Sequence, residues 1–254
     1  MEIVQLSPNV AKVPKNFRCL LIGASEAGKS TFIGSLIRNK DTVFESPGYE
    51  KFIYCSPNLG SEASFTSKRD LEYQKCLKEW AEPAEIQFLN HIITEEELFE
   101  EAEATDGHIL LIIDDYSQEL FSTDLVYKLF TRLSTHGTGI STCVSLHQNI
   151  NSKTSGKWYN LIFNNSNFFV VFRSIANRAA IGELSKKIFP HGKNFISRAL
   201  NEATNICGMY AHVFIDASLK NPLNTRFGVR SNLFEENGLP KLMMKNPSVY
   251  YGTH

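Results

Sequence analysis

The sequence predicts an α/β fold, in which a mostly parallel central sheet is covered by helices on both faces. Several short runs are continuously apolar, which is typical of strands buried on both faces. These runs alternate with segments whose apolar residues recur at helical spacing. The composition agrees, because 43% of the 254 residues are hydrophobic and 21% are charged, close to the averages of globular domains. We therefore expect one large domain.

The N-terminal half is predicted to contain three strands and three helices. The strands are expected at 17–22, 52–55 and 86–89, and a helix at 31–39, while 59–83 is polar and is expected to form a loop and a helix. A further helix should begin after Thr94 and run through Ala104. Thr94 is its predicted N-cap, because Glu97 stands at the position that completes a capping box.

The C-terminal half continues the alternation. The most apolar strand is expected at 108–113, and a helix capped by Ser122 or Thr123 should run to about residue 135. Strands are expected at 141–146, 168–172, 210–215 and near 226–229, with helices at 178–189 and 193–204. This pattern predicts an N-terminal lead at 1–16, one domain at 17–232 and a C-terminal tail at 233–254.

A glycine-containing loop after the first strand predicts a phosphate site. The run GASEAGKS at 23–30 matches the P-loop pattern G-x-x-x-x-G-K-[ST], and it stands between an apolar strand and a helix, as that motif requires. Backbone N–H groups of such a loop point inward at phosphate oxygens. The residues predicted to bind nucleotide are Gly23, Ala24, Ser25, Glu26, Ala27, Gly28, Lys29, Ser30 and Thr31. Lys29 should reach the β- and γ-phosphates of ATP, and the Ser30 hydroxyl should ligate Mg²⁺.

Two adjacent acids follow the most apolar strand, as in a Walker B motif. The strand runs directly into Asp114 and Asp115. Asp114 is predicted to hold Mg²⁺ through water, and Asp115 to polarise the attacking water. Paired acids favour hydrolysis over storage of nucleotide. A polar residue at the end of the strand 141–146 can sense the γ-phosphate, and Gln148 is the predicted sensor. His147 is less favoured, because side chains alternate along a strand and His147 would point away from Gln148.

Charge and cysteine usage exclude several classes of protein. The 26 Lys and Arg against 27 Asp and Glu give a net charge of −1, which disfavours a protein that coats DNA with a basic surface. No apolar run reaches about 18 residues, so no membrane partner is expected. The start has no secretory signal pattern. Five dispersed cysteines without a Cys-x-x-Cys exclude a disulfide framework and favour a reducing, intracellular compartment.

Other classes of P-loop protein are distinguished by motifs. The sequence has no guanine-reading Asn-Lys-x-Asp after a late strand, no Leu-Ser-Gly-Gly-Gln signature of ABC ATPases, and too little chain for a helicase with two tandem domains. It also has no compact Arg-rich lid typical of small-molecule kinases. Two classes stay open, ring-forming motor ATPases and small-molecule kinases. A third, a non-hydrolysing nucleotide-dependent assembly factor, is less favoured because of the paired acids.

Beyond the Walker motifs, the sequence resembles a known family. It is similar to the genome-packaging ATPases of double-stranded DNA viruses, virophages and Polinton-type transposons, which are related to the poxvirus packaging ATPase within the FtsK/HerA superfamily. The resemblance covers about residues 15–230. It is carried by LLIGASEAGKS at 20–30, IIDD at 112–115, LFTRLSTH at 129–136, HQN at 147–149, NNSNFFVVF at 164–172 and IFP at 188–190.

The resemblance implies a RecA-like P-loop NTPase domain that uses ATP and Mg²⁺. Such proteins form homo-oligomeric rings that pump duplex DNA, without sequence specificity, into a capsid, so capsid or portal-vertex proteins are expected partners. The active site would be completed by an arginine from the neighbouring subunit. Arg132 matches this role, and Arg178 is the alternative. The sequence departs from its relatives near Arg178, where they tend to have Arg-Asp and this chain has Ala-Asn-Arg at 176–178. It also departs at 136–138, where relatives have paired histidines or a basic residue and this chain has His-Gly-Thr. The expected location is intracellular in the host, in the nucleus or a viral factory, with association with the virion left open.

The charge distribution fits such a motor modestly. Residues 173–198 hold six basic side chains and one acidic side chain, Glu183, whereas 95–119 hold ten acids and no base. A sliding motor needs weak contacts to backbone phosphates. The alternative is ordinary solvated helix faces, which explain the acidic stretch at least as well.

Overall fold

A single sheet forms the centre of the molecule in the computed structural model. The structure describes residues 13–14, 17–45, 48–57, 68–106, 108–116, 124–133, 140–147, 162–173, 178–188, 194–207, 211–217, 229–231 and 242–244. Within these ranges the strands are β1 (Arg18–Gly23), β2 (Lys51–Cys55), β3 (Glu85–Leu89), β4 (Ile109–Asp114), β5 (Ser141–His147), β6 (Phe168–Phe172), β7 (His212–Asp216), β8 (Val229–Ser231) and β9 (Leu242–Met244).

The strand order is β3-β2-β4-β5-β1-β6-β7-β8-β9. From β3 to β6 every neighbouring pair is parallel, and from β6 to β9 every pair is antiparallel. The predicted α/β fold with a mostly parallel sheet is therefore confirmed. Because parallel strands end at the same edge, the segments that follow β1, β2 and β4 meet there, which is where open α/β sheets bind ligands.

Helices cover both faces of the sheet. They are α1 (Lys29–Arg38), α2 (Lys40–Val43), α3 (Lys68–Ala81), α4 (Glu95–Ala104), α5 (Asp124–Lys128), α6 (Arg178–Ile188) and α7 (Phe195–Cys207). Strand β1 shows the two-sided burial: Leu20 and Ile22 belong to one apolar cluster, and Cys19 and Leu21 to the other. Fully burying such side chains contributes about 1.5–3 kcal/mol each, which explains why the predicted strands are continuously apolar.

The helix expected at 122–135 differs from the prediction. Its described part begins at Asp124, and after α5 the chain continues as a π-helical turn, Leu129–Leu133. The Thr131 hydroxyl donates to the Tyr127 carbonyl at 2.8 Å, a side-chain bond of the kind that bends helices. The end of the predicted helix lies outside the described residues.

The other predicted elements lie within a few residues of the observed ones, whereas the short helix α2 has no predicted counterpart. Most ends shift by one or two residues, as helix and strand ends commonly do. Inside the predicted tail, Leu242–Met244 form β9, which pairs with β8. The predicted boundaries of lead, domain and tail stay predictions. Among the described residues, none of the helices has the length and apolar character needed to cross a membrane.

Candidate nucleotide-binding site

The predicted P-loop connects β1 to α1. Gly28 caps the helix with φ 99°, a left-handed conformation that glycine adopts without the strain of a Cβ atom. The first helical bond runs from the Phe32 N–H to the Gly28 carbonyl at 2.9 Å. The first turn of α1 carries no acidic side chain, so its N-terminal partial positive charge is available to a phosphate.

The Lys29 ammonium lies inside the curl of this loop. Its Nζ donates to the carbonyl oxygens of Gly23 at 3.1 Å and Ala24 at 2.7 Å, and the residue is only 4% exposed. Burial lowers the pKa of Lys29, and the charge of Asp114 opposes this shift. A cation is thus held at the loop that the sequence predicts to bind phosphate.

Ser30 and Asp114 meet at the ends of the loop and of β4. The Ser30 hydroxyl donates to Asp114 Oδ2 at 3.1 Å, and the Tyr54 hydroxyl donates to the same oxygen at 2.8 Å. Asp114 is buried, and its Oδ1 has no hydrogen-bond partner among the described residues. Buried polar atoms normally have partners, so this oxygen needs a ligand that the described residues do not supply.

These oxygens fit Mg²⁺. Magnesium prefers hard oxygen ligands, and in nucleotide sites it is held by one or two protein oxygens together with phosphates and water. The Ser30 hydroxyl and the Asp114 carboxylate, whose buried Oδ1 has no partner among the described residues, meet that requirement. In the parts of the chain that the structure describes, no group of three or more His, Cys, Asp or Glu side chains forms a richer metal site.

Two tyrosines at this site were missed by sequence reasoning. Tyr54 on β2 is completely buried, which raises its pKa well above the ordinary value, and the Asp114 charge raises it further. Its hydroxyl therefore stays protonated and donates. Tyr73 on α3 donates to the Ser30 carbonyl at 2.6 Å. A tyrosine in a fully buried strand indicates a hydroxyl that needs a partner, but the sequence does not say which.

An open pocket lies beside these residues. It has a volume of about 270 Å³ and is lined by Ser30, Thr31, Tyr54, Ser56, Arg69, Asp70, Tyr73, Asp114 and Asp115. Asp115 is half-buried and has φ 71°, a left-handed backbone conformation that is uncommon for residues other than glycine. The two predicted acids therefore share one pocket with Ser30 and Thr31, and α3 adds Arg69 and Asp70, which the sequence did not single out.

The other predicted site residues have different outcomes. Ser25 and Glu26 are exposed at the tip of the loop, while Ala24 and Ala27 are half-buried. Gln148 lies outside the described residues. The strand that precedes it, β5, pairs with both β1 and β4, the strands that lead into the site. Arg132 lies in the π-helical turn and Arg178 begins α6, and the side chains of both are outside the described part. Their roles stay predictions.

Comparison with known proteins gave structural similarity only. No family model and no curated protein matches the sequence. Among solved structures, EssC (ATPases 2 and 3) from Geobacillus thermodenitrificans matches with 10% identity and a TM-score of 0.40, over 91% of this chain and 39% of that chain. The cytoplasmic domain of the Thermomonospora curvata type VII secretion ATPase EccC matches with 10% identity and a TM-score of 0.46, over 88% and 27%. This chain thus spans less than half the length of either protein.

The fold of this chain follows from its own features. A P-loop joins a buried parallel strand to a helix, and an acid-ended strand brings its carboxylate to the loop serine. The chain has a P-loop NTPase fold, and its loop and carboxylate form one candidate nucleotide site.

Proposed function

We propose that the protein is an Mg²⁺-dependent ATPase that moves double-stranded DNA and packages a viral or virus-like genome into a capsid. The observation that carries the ATPase activity is the meeting of Ser30 and Asp114, at 3.1 Å, next to the buried ammonium of Lys29. A phosphate-binding loop, a cation and a metal-ligand pair at one sheet edge are the parts that phosphoryl transfer requires.

Each residue has a distinct task in this mechanism. Lys29 and the N–H groups of the loop hold the β- and γ-phosphates and orient the γ-phosphate. Ser30 and Asp114 hold Mg²⁺, which when bound neutralises phosphate charge as it develops. Asp115, in the same pocket, orients the attacking water and accepts its proton. Gln148 senses the γ-phosphate, and Arg132 completes the site of a neighbouring subunit in a ring.

The motor activity is supported by the family resemblance and by charge. Arg173, Lys186, Lys187 and Arg198 are exposed basic side chains after β6 and on α6 and α7. Exposed basic side chains bind backbone phosphates of DNA without sequence specificity, and this binding weakens as the salt concentration rises. We further propose capsid or portal-vertex proteins as partners, in the nucleus or a viral factory of the host.

The test is the ATPase rate with and without linear duplex DNA, across protein concentration and salt. The rate should rise with DNA, increase more than proportionally with protein concentration, and fall with salt. Lys29→Ala should abolish nucleotide binding, whereas Asp115→Asn should bind ATP but lose hydrolysis, by about 100-fold or more for a lost general base. Binding is measured by calorimetry and hydrolysis by phosphate release.

Other outcomes of this test favour other functions. A hydrolysis rate indifferent to DNA, protein concentration and salt, which rises only when a small phosphate acceptor is added, would indicate a small-molecule kinase. Nucleotide binding without turnover under all conditions would indicate an assembly factor and contradict the proposed ATPase.

A further inference from the structure

We infer that Tyr54 is a positioning residue for Mg²⁺, which fixes the carboxylate of Asp114 so that Oδ1 faces the metal. This inference rests on the proposed Mg²⁺-nucleotide site. Tyr54 belongs to neither the P-loop nor the acid-ended strand, so the Walker motifs do not include it.

The sheet register places the two side chains together. Strands β2 and β4 are parallel neighbours, and Tyr54 is paired with Ile112. Asp114 follows Ile112 by two residues and therefore points to the same face of the sheet. Tyr54 and Ile112 both belong to the apolar cluster on the face that α1 covers. The phenol ring is thus fixed by packing, and only its hydroxyl reaches a polar atom of the site.

The hydrogen bonds fix one oxygen of Asp114 and leave the other without a partner in the described part of the chain. A carboxylate only accepts hydrogen bonds, so both the Tyr54 and Ser30 hydroxyls donate to Oδ2, at 2.8 Å and 3.1 Å. Two donors on Oδ2 restrain rotation of the carboxylate about its terminal bond. Oδ1 is buried and has no partner among the described residues. Ser30, whose proton points to Oδ2, keeps its lone pairs for a metal ion.

The two donors differ in what they can do. Ser30 is exposed on a helix whose loop must accommodate a nucleotide, whereas Tyr54 is 1% exposed and lies in the sheet. Tyr54 is therefore the donor that holds Asp114 whether or not a nucleotide occupies the loop. Residues that orient a metal ligand in this way commonly change metal affinity by 10- to 100-fold when mutated.

The experiment compares Tyr54→Phe with a matched control, Tyr49→Phe. Tyr49 is also buried, and its hydroxyl donates to Ser141 Oγ at 2.7 Å, in a bond that includes no residue of the site. Each substitution removes one buried phenolic hydroxyl and keeps the ring. The affinity for ATP is measured by calorimetry in excess EDTA and across a series of Mg²⁺ concentrations, and unfolding by denaturant shows that both variants fold.

ATP affinity should increase with Mg²⁺ concentration, and the Mg²⁺ concentration at half of the full increase is the quantity compared. We expect Tyr54→Phe to raise this concentration about 10-fold or more and to leave the ATP affinity in EDTA unchanged. Tyr49→Phe should keep the wild-type Mg²⁺ response while losing a similar amount of stability. If Tyr54→Phe keeps the wild-type Mg²⁺ response, the inference is wrong and the proposed ATPase is untouched. If the wild-type protein binds no ATP with or without Mg²⁺, the proposed function itself is wrong.

Discussion

The first glycine of the P-loop shows how closely the site is packed. Gly23 is the last residue of β1, beside β6. A Cβ atom added there would lie 2.9 Å from the Phe172 Cβ and 3.3 Å from the Ala27 Cβ. The Phe172 Cβ is attached to the backbone, so no side-chain rotation relieves this contact. The loop therefore needs a glycine at position 23 for space.

Gly23→Ala should lower the free energy of unfolding by about 1–3 kcal/mol, the usual cost of overpacking. ATP affinity should fall as well, because the loop that carries the Gly23 and Ala24 carbonyls must move. Denaturant unfolding and calorimetry measure the two effects. The control is Gly182→Ala inside α6, where an added Cβ meets nothing within 4 Å and the helix should gain up to about 1 kcal/mol. Equal stability of Gly23→Ala and wild type would contradict the packing argument.

At the same scale, the sequence predicts the local part of the site and misses the rest. The run from Gly23 to Ser30 is continuous, and Asp114 ends the strand that the apolar run predicts, so both can be recognised without tertiary information. Tyr54 contacts Asp114 across 60 positions of sequence, through a strand pairing that no local pattern specifies. For the same reason Arg69 is recognised only once α3 is placed beside the pocket.

Helix α4 is the element that the sequence predicts most completely. Thr94 Oγ1 accepts from the Glu97 N–H at 3.3 Å, and the Glu97 carboxylate accepts from the Thr94 N–H at 2.9 Å, which forms the predicted capping box. The Thr94 N–H and the Thr94 hydroxyl both donate to the Glu97 carboxylate, which lowers the pKa of Glu97. The cap was predictable because its partners are three residues apart. The π-helical turn after α5 was not, because its course depends on packing against the core.

Thr94→Ala should lower the free energy of unfolding by about 1 kcal/mol, because one N–H group of the first turn of α4 loses its acceptor. Thr94→Ser is the matched control, since a serine hydroxyl can accept the same bond, and it should stay close to wild type. Both variants are compared by denaturant unfolding with helix content followed by circular dichroism. If Ala and Ser at this position are equally stable, the cap does not stabilise α4.

The whole sheet combines what the sequence predicts with what it does not. Alternation of apolar strands and helices predicted the parallel part, in which connections cross over through helices. The antiparallel end consists of short strands that pair with their neighbours, β7 with β6, β8 with β7 and β9 with β8, and no local pattern in the sequence specifies these pairings. One consequence is the position of His212, which begins β7 opposite Phe172. Its ring also packs edge-on against Phe32 of α1, with 4.9 Å between ring centroids.

This packing links the stability of the molecule to pH. Burial lowers the pKa of His212 from its ordinary value of 6.5 to about 3. Between these values the unfolded chain binds a proton at His212 that the folded chain does not. The contribution of neutral His212 to stability is therefore fully present above about pH 6.5 and is lost as the pH decreases towards 3. The expected slope is up to about 1.4 kcal/mol per pH unit below 6.5.

The measurement is the free energy of unfolding between pH 7.5 and about pH 5, above the range in which most carboxylates titrate. His212→Gln should be less stable than wild type at every pH. Below pH 6.5 its free energy of unfolding should fall less steeply with decreasing pH, by the slope that corresponds to about one proton, because the titrating group is gone. His91→Gln is the control, since His91 is exposed, and it should keep the wild-type slope. A wild-type slope in His212→Gln would show that His212 is not the group that makes the sheet sensitive to acid.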